Sequence, residues 1–211
     1  VRMRYYNADG GIAEMCGNGI RCVARYAVDR GLVDERSFSI HTDAGTFPVT
    51  LVGDDRVKTY LARSASGSTM ELSGLDLQAV DMGNPHVVTF VDDLDSAPVT
   101  SAGPEIETHT TFPDKTNVEF VRIDGHDRIS VRTWERGVGE TYACGTGAGA
   151  AVVAAHKSGL VGTEVNVGLL GGDLSIRLEG DDVWQEGPAE YVFRGSTTLL
   201  EGDRQPDLLE A

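Results

Sequence analysis

Cys16-Gly17-Asn18-Gly19 and Cys144-Gly145-Thr146-Gly147 are two copies of one motif, and the sequence around them repeats as well. Gly-Leu-Val begins fifteen residues after each cysteine, at 31–33 and at 159–161. Gly-Asp-Asp follows further along in both copies, at 53–55 and at 180–182. Three matches in register indicate a duplicated structural unit, because internal similarity at a fixed spacing is typical of such units.

Each copy of the unit is predicted to be a helix followed by strands. Apolar residues recur at helical spacing over 20–28, and Gly31 follows as a helix-ending glycine. Residues 148–156 are small and apolar nearly all round, which is typical of a buried helix. Alternating runs predict strands at 38–42, 46–51, 87–91, 118–123, 129–134, 165–167 and 174–178. We therefore predict an α+β fold of two pseudo-symmetric halves, each a mainly antiparallel sheet or barrel wrapped around a central helix.

The repeat also suggests how the chain is divided. We predict a first half at 1–73, a second half at 74–190, a closing strand at 191–200 that returns to the first half, and a loose acidic tail at 201–211. The Ser-rich stretch 64–69 is predicted to be a linker. The second half carries about 55 more residues ahead of its cysteine than the first, so we expect the first half to be incomplete at its N-terminus.

Composition excludes several classes of protein. Of the 211 residues 40% are hydrophobic, which is typical of a globular chain, and no apolar run approaches the roughly 20 residues of a membrane span. The net charge of −15 argues against a nucleic-acid partner, because phosphate binding needs clustered Lys and Arg. Three cysteines cannot form a paired disulfide framework and no signal segment is visible, so we expect a cytoplasmic protein.

The repeated cysteines are the candidate catalytic groups. Each precedes a predicted helix, where backbone N–H groups and the helix dipole favour a thiolate, so we expect a lowered cysteine pKa. The same N–H groups can bind a substrate carboxylate, which the glycines allow to approach closely. One thiolate and one thiol on opposite faces of an α-carbon could invert it, because one group removes a proton and the other returns one.

Other interpretations of the cysteines remain open at this point. Cys16 and Cys144 could form a disulfide or be ordinary buried thiols, and a hydrolase nucleophile would leave the second cysteine unexplained. The sequence has no Cys-x-x-Cys or paired-His spacing for zinc, and none of its lysines lies in a motif expected of a pyridoxal Schiff base. We therefore expect no metal and no cofactor, and we interpret Cys22 as a core-packing residue.

Four segments together carry a resemblance to a known family. Residues 7–22, the Gly-Asn-Pro-His at 83–86, the Thr-Asn-Val-Glu-Phe at 116–120 and the stretch 134–147 resemble diaminopimelate epimerases. The resemblance implies two similar halves with the active site between them, no cofactor, and a homodimer. It implies an isomerase that interconverts LL- and meso-2,6-diaminopimelate, on the route to lysine and peptidoglycan.

The resemblance also assigns the site, position by position. Cys16 and Cys144 match the family's two acid/base cysteines, and His86 and Glu135 match positions that support catalysis. The substrate-binding positions are matched by Asn7, Gly17, Asn18, Asn84, Asn117, Glu135, Arg136, Gly145 and Thr146. Two alternatives stay open: another two-cysteine amino-acid racemase, or an inactive fragment that binds carboxylates.

Overall fold

The computed structural model describes residues 1–6, 10–13, 16–193 and 195. The predicted substrate-binding residue Asn7, the predicted tail at 201–211 and most of the predicted closing strand at 191–200 lie outside the described residues. Within the described part of the chain, no helix is long and apolar enough to cross a membrane.

Three helices occur among the described residues: α1 at Gly17–Asp29, α2 at Val99–Glu107 and α3 at Gly145–Lys157. The two helices predicted from the repeat are confirmed, and both begin directly after a repeated cysteine. The short helix α2 was missed, because it spans only 9 residues and contains Pro104.

One mixed sheet packs against these helices. Its strands are β3 (Ser37–Thr42), β4 (Gly45–Val52), β5 (Arg56–Arg63), β6 (Ala65–Leu72), β7 (Leu75–Asp81), β8 (Pro85–Phe90), β9 (Asn117–Gly125), β10 (Arg128–Glu135), β11 (Gly139–Thr141), β12 (Glu164–Leu169), β13 (Gly172–Glu179) and β14 (Asp182–Pro188), while β1 (Tyr5–Tyr6) and β2 (Ile12–Ala13) form a separate pair. The order across the sheet is β3-β4-β5-β14-β13-β12-β10-β9-β8-β7-β6, with β11 paired to β10. Among the described strands, the parallel pairs are β8–β9 and β10–β12, and an isolated parallel bridge joins Arg2 to His41 of β3. The predicted α+β fold is confirmed.

The predicted linker at 64–69 is wrong, because most of it belongs to strand β6. This strand pairs with β7 over Ala65–Leu72, with a bulge between Ser66 and Thr69. Gly67 packs so closely on the neighbouring strand that an added Cβ would lie 2.9 Å from the Ala79 Cβ. Serines in an edge strand can face solvent, so the amino-acid composition of such a strand can resemble that of a linker. The division into 1–73 and 74–190 stays a prediction, and the β6–β7 pair crosses it.

Each of the long helices packs into its own core. In α3 nearly every residue is buried, and this helix packs against eight strands of the sheet. Its core also includes Val183 of β14 and Met82, which follows β7. Helix α1 buries one face, with Ile20, Ala24 and Ala27 packed toward β4 and β5. The interpretation of Cys22 as a core residue is wrong: Cys22 is exposed, because it lies off this buried face.

Candidate active site

The two repeated cysteines occupy equivalent places in the structure. Cys16 is the N-cap of α1 and Cys144 the N-cap of α3, both with extended backbone. In each motif the sulfur accepts a hydrogen bond from the N–H three residues later, at 3.3 Å from Gly19 N and 3.3 Å from Gly147 N. The cysteine side chain thus takes the capping role that Ser or Asp usually has. Both copies of the repeat therefore hold the cysteine sulfur in the same geometry at the start of a helix.

The two helix starts lie against each other. Asn18 Nδ2 donates a hydrogen bond of 3.4 Å to the carbonyl of Ala143, which is the residue before Cys144. Between the helices, the buried Gln185 Nε2 donates to the Gly17 carbonyl at 2.9 Å, and its Oε1 would lie 2.9 Å from a Cβ added at Gly145. The structure therefore brings together both motifs and with them the predicted residues Cys16, Gly17, Asn18, Cys144, Gly145 and Thr146.

Cys144 is electrostatically unlike the expected thiolate. Burial raises its pKa to about 12, and the nearby carboxyl groups of Glu135 and Glu119 act in the same direction. The Thr146 hydroxyl, 3.5 Å from the sulfur, and the Gly147 N–H lower the pKa by less. The prediction that the helix start lowers the cysteine pKa is wrong for Cys144, because desolvation outweighs the helix-end N–H groups.

Tyr5 stands beside the other cysteine and was missed by the sequence analysis. Cys16 raises the pKa of Tyr5 through its charge, with smaller contributions from burial, from a hydrogen bond to Cys16 and from Glu135. The Glu135 carboxyl thus acts on Tyr5 and also on Cys144. One carboxyl group therefore influences the surroundings of both cysteines, as expected if the two helix starts share one site.

Behind Cys144 lies a buried acid–imidazole pair. The His86 Nδ1 is 2.9 Å from Glu119 Oε1, and its Nε2 is 3.1 Å from Asn84 Oδ1. Burial raises the pKa of Glu119, while His86 opposes that rise. The Glu119 Oε2 has no hydrogen-bond partner among the described residues, and Oε1 packs on the start of α3, 2.7 Å from a Cβ added at Gly147.

Glu119 is a site residue that the sequence analysis did not single out. It is the one acid within the otherwise apolar run 118–121, and that was the available signal. The structure places the predicted residue His86 in contact with Glu119 and the predicted residue Asn84 in contact with His86, on the side of the site where Cys144 lies.

The remaining predicted residues lie near the turn between β10 and β11. The Asn117 Oδ1 accepts the Arg136 N–H at 2.9 Å, while its Nδ2 donates to the Pro85 carbonyl at 2.9 Å. The exposed Arg136 side chain donates to the Asp114 carbonyl at 3.1 Å. The Asn117 carboxamide therefore holds this turn against the start of β8.

A second acid fixes the same turn. Glu107 in α2 accepts hydrogen bonds from Trp134 Nε1 at 2.8 Å and from the Gly137 N–H at 3.0 Å, and it pairs with Lys115 at 3.1 Å. These partners lower its pKa, although burial works against them. Glu135 itself accepts a hydrogen bond from the Thr141 hydroxyl. Glu107 was missed because its partners are distant in sequence.

Solved structures with the same fold define the structural class. A phenazine biosynthesis protein of the PhzF family from Bacillus anthracis superposes with a TM-score of 0.69 at 17% identity, over 89% of this chain and 77% of that one. A hydroxyproline epimerase from Agrobacterium vitis superposes with a TM-score of 0.68 at 15% identity, over 89% of this chain and 67% of that one. The fold is thus one shared by epimerases and PhzF-type proteins.

Sequence similarity identifies the family within that class. Residues 1–65 and 78–192 match the family described as diaminopimelate epimerase. The diaminopimelate epimerase of Pelotomaculum thermopropionicum is 47% identical over 92% of this chain and 78% of its own length. That of Halothermothrix orenii is 42% identical over 95% of this chain and 79% of its own length. The chain belongs to the diaminopimelate epimerase family, and it is an isomerase of the epimerase type.

Proposed function

We propose that this chain interconverts LL- and meso-2,6-diaminopimelate by proton transfer at one α-carbon, with Cys16 and Cys144 as the two acid/base groups and no cofactor. The observation that carries the proposal is the pair of equivalent cysteine caps on two helices whose starts touch. A hydrolase mechanism, which uses one nucleophilic cysteine, would not require a second cysteine at the matching place.

The helix starts supply the groups that would bind the reacting carboxylate. Backbone N–H groups of the first helical turn, at Gly17 and Asn18 in α1 and at Gly145 and Thr146 in α3, are the expected donors. Removing the α-proton leaves negative charge that spreads onto this carboxylate. Donors already in place at the two helix ends stabilise that charge in the transition state.

Proton transfer then needs one thiolate and one thiol. Because the pKa of Cys144 is raised to about 12, we assign Cys144 as the thiol of the resting site. In that state Cys16 acts as the base: its thiolate forms an S–H bond with the α-proton, and the C–H electron pair stays on the substrate. Cys144 gives its proton to the opposite face and becomes the thiolate. The reverse reaction exchanges the two roles.

Charged and amide groups around the cysteines suit the rest of the substrate. Glu135 is proposed to bind the amino group at the reacting centre, and its influence on both cysteine surroundings supports that position. Arg136 has guanidinium donors beyond the one used by Asp114 and is proposed to bind the distant carboxylate. Asn7, Asn84 and Asn117 are proposed as further substrate-binding residues, and His86 as a group that supports catalysis through Asn84 and Glu119.

The physiological setting is part of the same proposal. The meso product would enter lysine and peptidoglycan synthesis, and a reducing cytoplasm would keep the described free cysteines as thiols. A homodimer also stays a prediction.

The proposed function is tested by incubating the reduced chain with LL-diaminopimelate and separating the stereoisomers by chromatography. We expect meso-diaminopimelate to appear, and we expect Cys16→Ala and Cys144→Ala to lower the rate by at least about 100-fold. Cys22→Ala is the matched control and should retain activity, because Cys22 is exposed and outside the site. Racemisation of proline without diaminopimelate turnover would instead favour the sister racemase. Binding without turnover of either substrate would favour an inactive carboxylate-binding protein.

A further inference from the structure

A buried carboxamide lies between the Gly17 and Gly145 turns, at one side of the contact between the two helix starts. Gln185 lies in β14 with no exposed surface, and its Nε2 donates to the Gly17 carbonyl at 2.9 Å. A Cβ added at Gly17 would lie 2.9 Å from Nε2, and one added at Gly145 would lie 2.9 Å from Oε1. The carboxamide therefore fills the space that two glycines leave, and each of these glycines directly follows a repeated cysteine.

Arg21 fixes the orientation of this carboxamide. The Arg21 guanidinium donates to Gln185 Oε1 at 3.2 Å, to the Gly17 carbonyl at 3.2 Å and to Asn18 Oδ1 at 3.1 Å, while its Nε donates to the Pro188 carbonyl at 3.3 Å. Because both Nε2 and Oε1 of Gln185 are hydrogen-bonded, the carboxamide cannot rotate freely about its last side-chain bond. The first turn of α1 is thereby tied to β14 through side chains that are almost completely buried.

We propose that Gln185 is a positioning residue whose side chain sets the separation of the two helix starts, so that both cysteine sulfurs reach the same α-carbon. This inference rests on the proposed function and assigns that reaction a residue that touches neither thiol. The proposed role of Gln185 depends on its size as well as on its hydrogen bonds. A shorter side chain would let the Gly17 and Gly145 turns move closer to each other, and one of the two sulfurs would then no longer face the reacting carbon. A misplacement of about 1 Å at a reacting centre can cost about 100-fold in rate.

Positioning can be separated from stability because the reaction has two measurable parts. Exchange of the α-hydrogen with solvent needs one correctly placed cysteine, whereas inversion needs both. A change in the separation of the two helix starts should therefore lower inversion more than exchange. A role in stability alone lowers both rates equally, since it changes only the amount of folded protein.

The test measures the ratio of epimerisation to solvent deuterium incorporation for diaminopimelate in deuterated buffer. We expect Gln185→Ala to lower this ratio by at least about tenfold, by the sensitivity of rate to placement. Gln185→Met keeps a similar side-chain length, so it should keep the ratio near that of the unaltered chain, although it loses hydrogen bonds and some stability. Gln78→Ala is the matched control, because Gln78 accepts its hydrogen bond from Ser158 at the far end of α3.

The outcomes separate this proposal from the proposed function. An unchanged ratio in a folded Gln185→Ala variant would overturn the positioning role while leaving the epimerase function standing. If that variant does not fold, Gln185→Val, which suits a strand, replaces it with the same expected fall. An unaltered chain that neither exchanges nor inverts diaminopimelate would refute the proposed function and, with it, the positioning role.

Discussion

At pH 8 we expect Cys144 to be ionised in only about one molecule in ten thousand. This follows from its pKa of about 12, since each pH unit below the pKa lowers the ionised fraction about tenfold. An ordinary thiol with a pKa near 9.0 would be ionised in about one molecule in ten at that pH. Because the thiolate is the nucleophile, alkylation of Cys144 should be about a thousand times slower than that of an ordinary thiol on this ground alone.

The perturbation that tests the cause is Glu135→Gln. Burial is the largest contribution to the raised pKa and the Glu135 carboxyl is the next, so removing that charge should lower the pKa while leaving it above that of an ordinary thiol. Glu164→Gln provides the control, because Glu164 is an exposed acid on β12 that does not act on Cys144. It should leave the pKa of Cys144 unchanged.

The assay follows iodoacetamide labelling of the Cys144 peptide by mass spectrometry from pH 7 to pH 10. Burial also limits access of iodoacetamide to Cys144. The pKa is therefore read from the shape of the pH profile of labelling and not from the absolute labelling rate. We expect labelling to rise about tenfold per pH unit with no plateau, as for a thiol that ionises above this range. The exposed Cys22 reports in the same sample that the reagent is active. A plateau below pH 10 in the unaltered chain would refute the reasoning.

Three further predictions concern packing, the β10–β11 turn and stability. Gly147→Ala places a Cβ 2.7 Å from Glu119 Oε1, so urea unfolding should show a loss of about 1–3 kcal/mol from overpacking; no loss would mean that the buried carboxyl can move aside. Glu107→Gln weakens the hydrogen bonds and the charge that hold the turn carrying Arg136, so the KM for diaminopimelate should rise more than kcat falls; an unchanged KM would separate the turn from substrate binding. The raised pKa of Cys144 should also make the free energy of unfolding fall as the pH rises from about 9 to about 12, because in that range the folded thiol keeps a proton that the unfolded one loses. This contribution to the slope, up to about 1.4 kcal/mol per pH unit, should be absent in Cys144→Ala; equal slopes in the two proteins would contradict the reasoning.

Helices α1 and α3 and the placement of the cysteines were predictable because they depend on local sequence. Glycines after Cys16 and Cys144 and the apolar spacing that follows them define a helix start without reference to the rest of the chain. Strands β9 and β10 were equally readable, since their apolar residues alternate or run continuously. The serines of β6 gave no such signal, and that strand is recognisable only from its pairing with β7.

The chemistry of the site was less predictable because it depends on contacts between distant residues. The position of Cys144 in the sequence favours a thiolate, but its burial and the approach of Glu119 and Glu135 produce the opposite pKa change. Gln185 lies 168 residues from the Gly17 carbonyl that it holds, and no periodic pattern in β14 distinguishes it. Tertiary contacts of this kind decide electrostatics and spacing, whereas local propensity decides where helices begin.

The central claim, that each cysteine serves one face of the α-carbon, is tested most directly with single-cysteine variants in deuterated buffer. Cys16→Ala and Cys144→Ala are incubated separately with LL- and with meso-diaminopimelate, and α-deuterium incorporation is measured by mass spectrometry. We predict that neither variant inverts the substrate and that each exchanges the α-hydrogen of a different stereoisomer, because each retains the base for one face only. Exchange by Cys16→Ala should be the slower of the two, because its remaining cysteine, Cys144, has a raised pKa and is mostly a thiol. Exchange of the same stereoisomer by both variants, or inversion by either one, would contradict the two-base account.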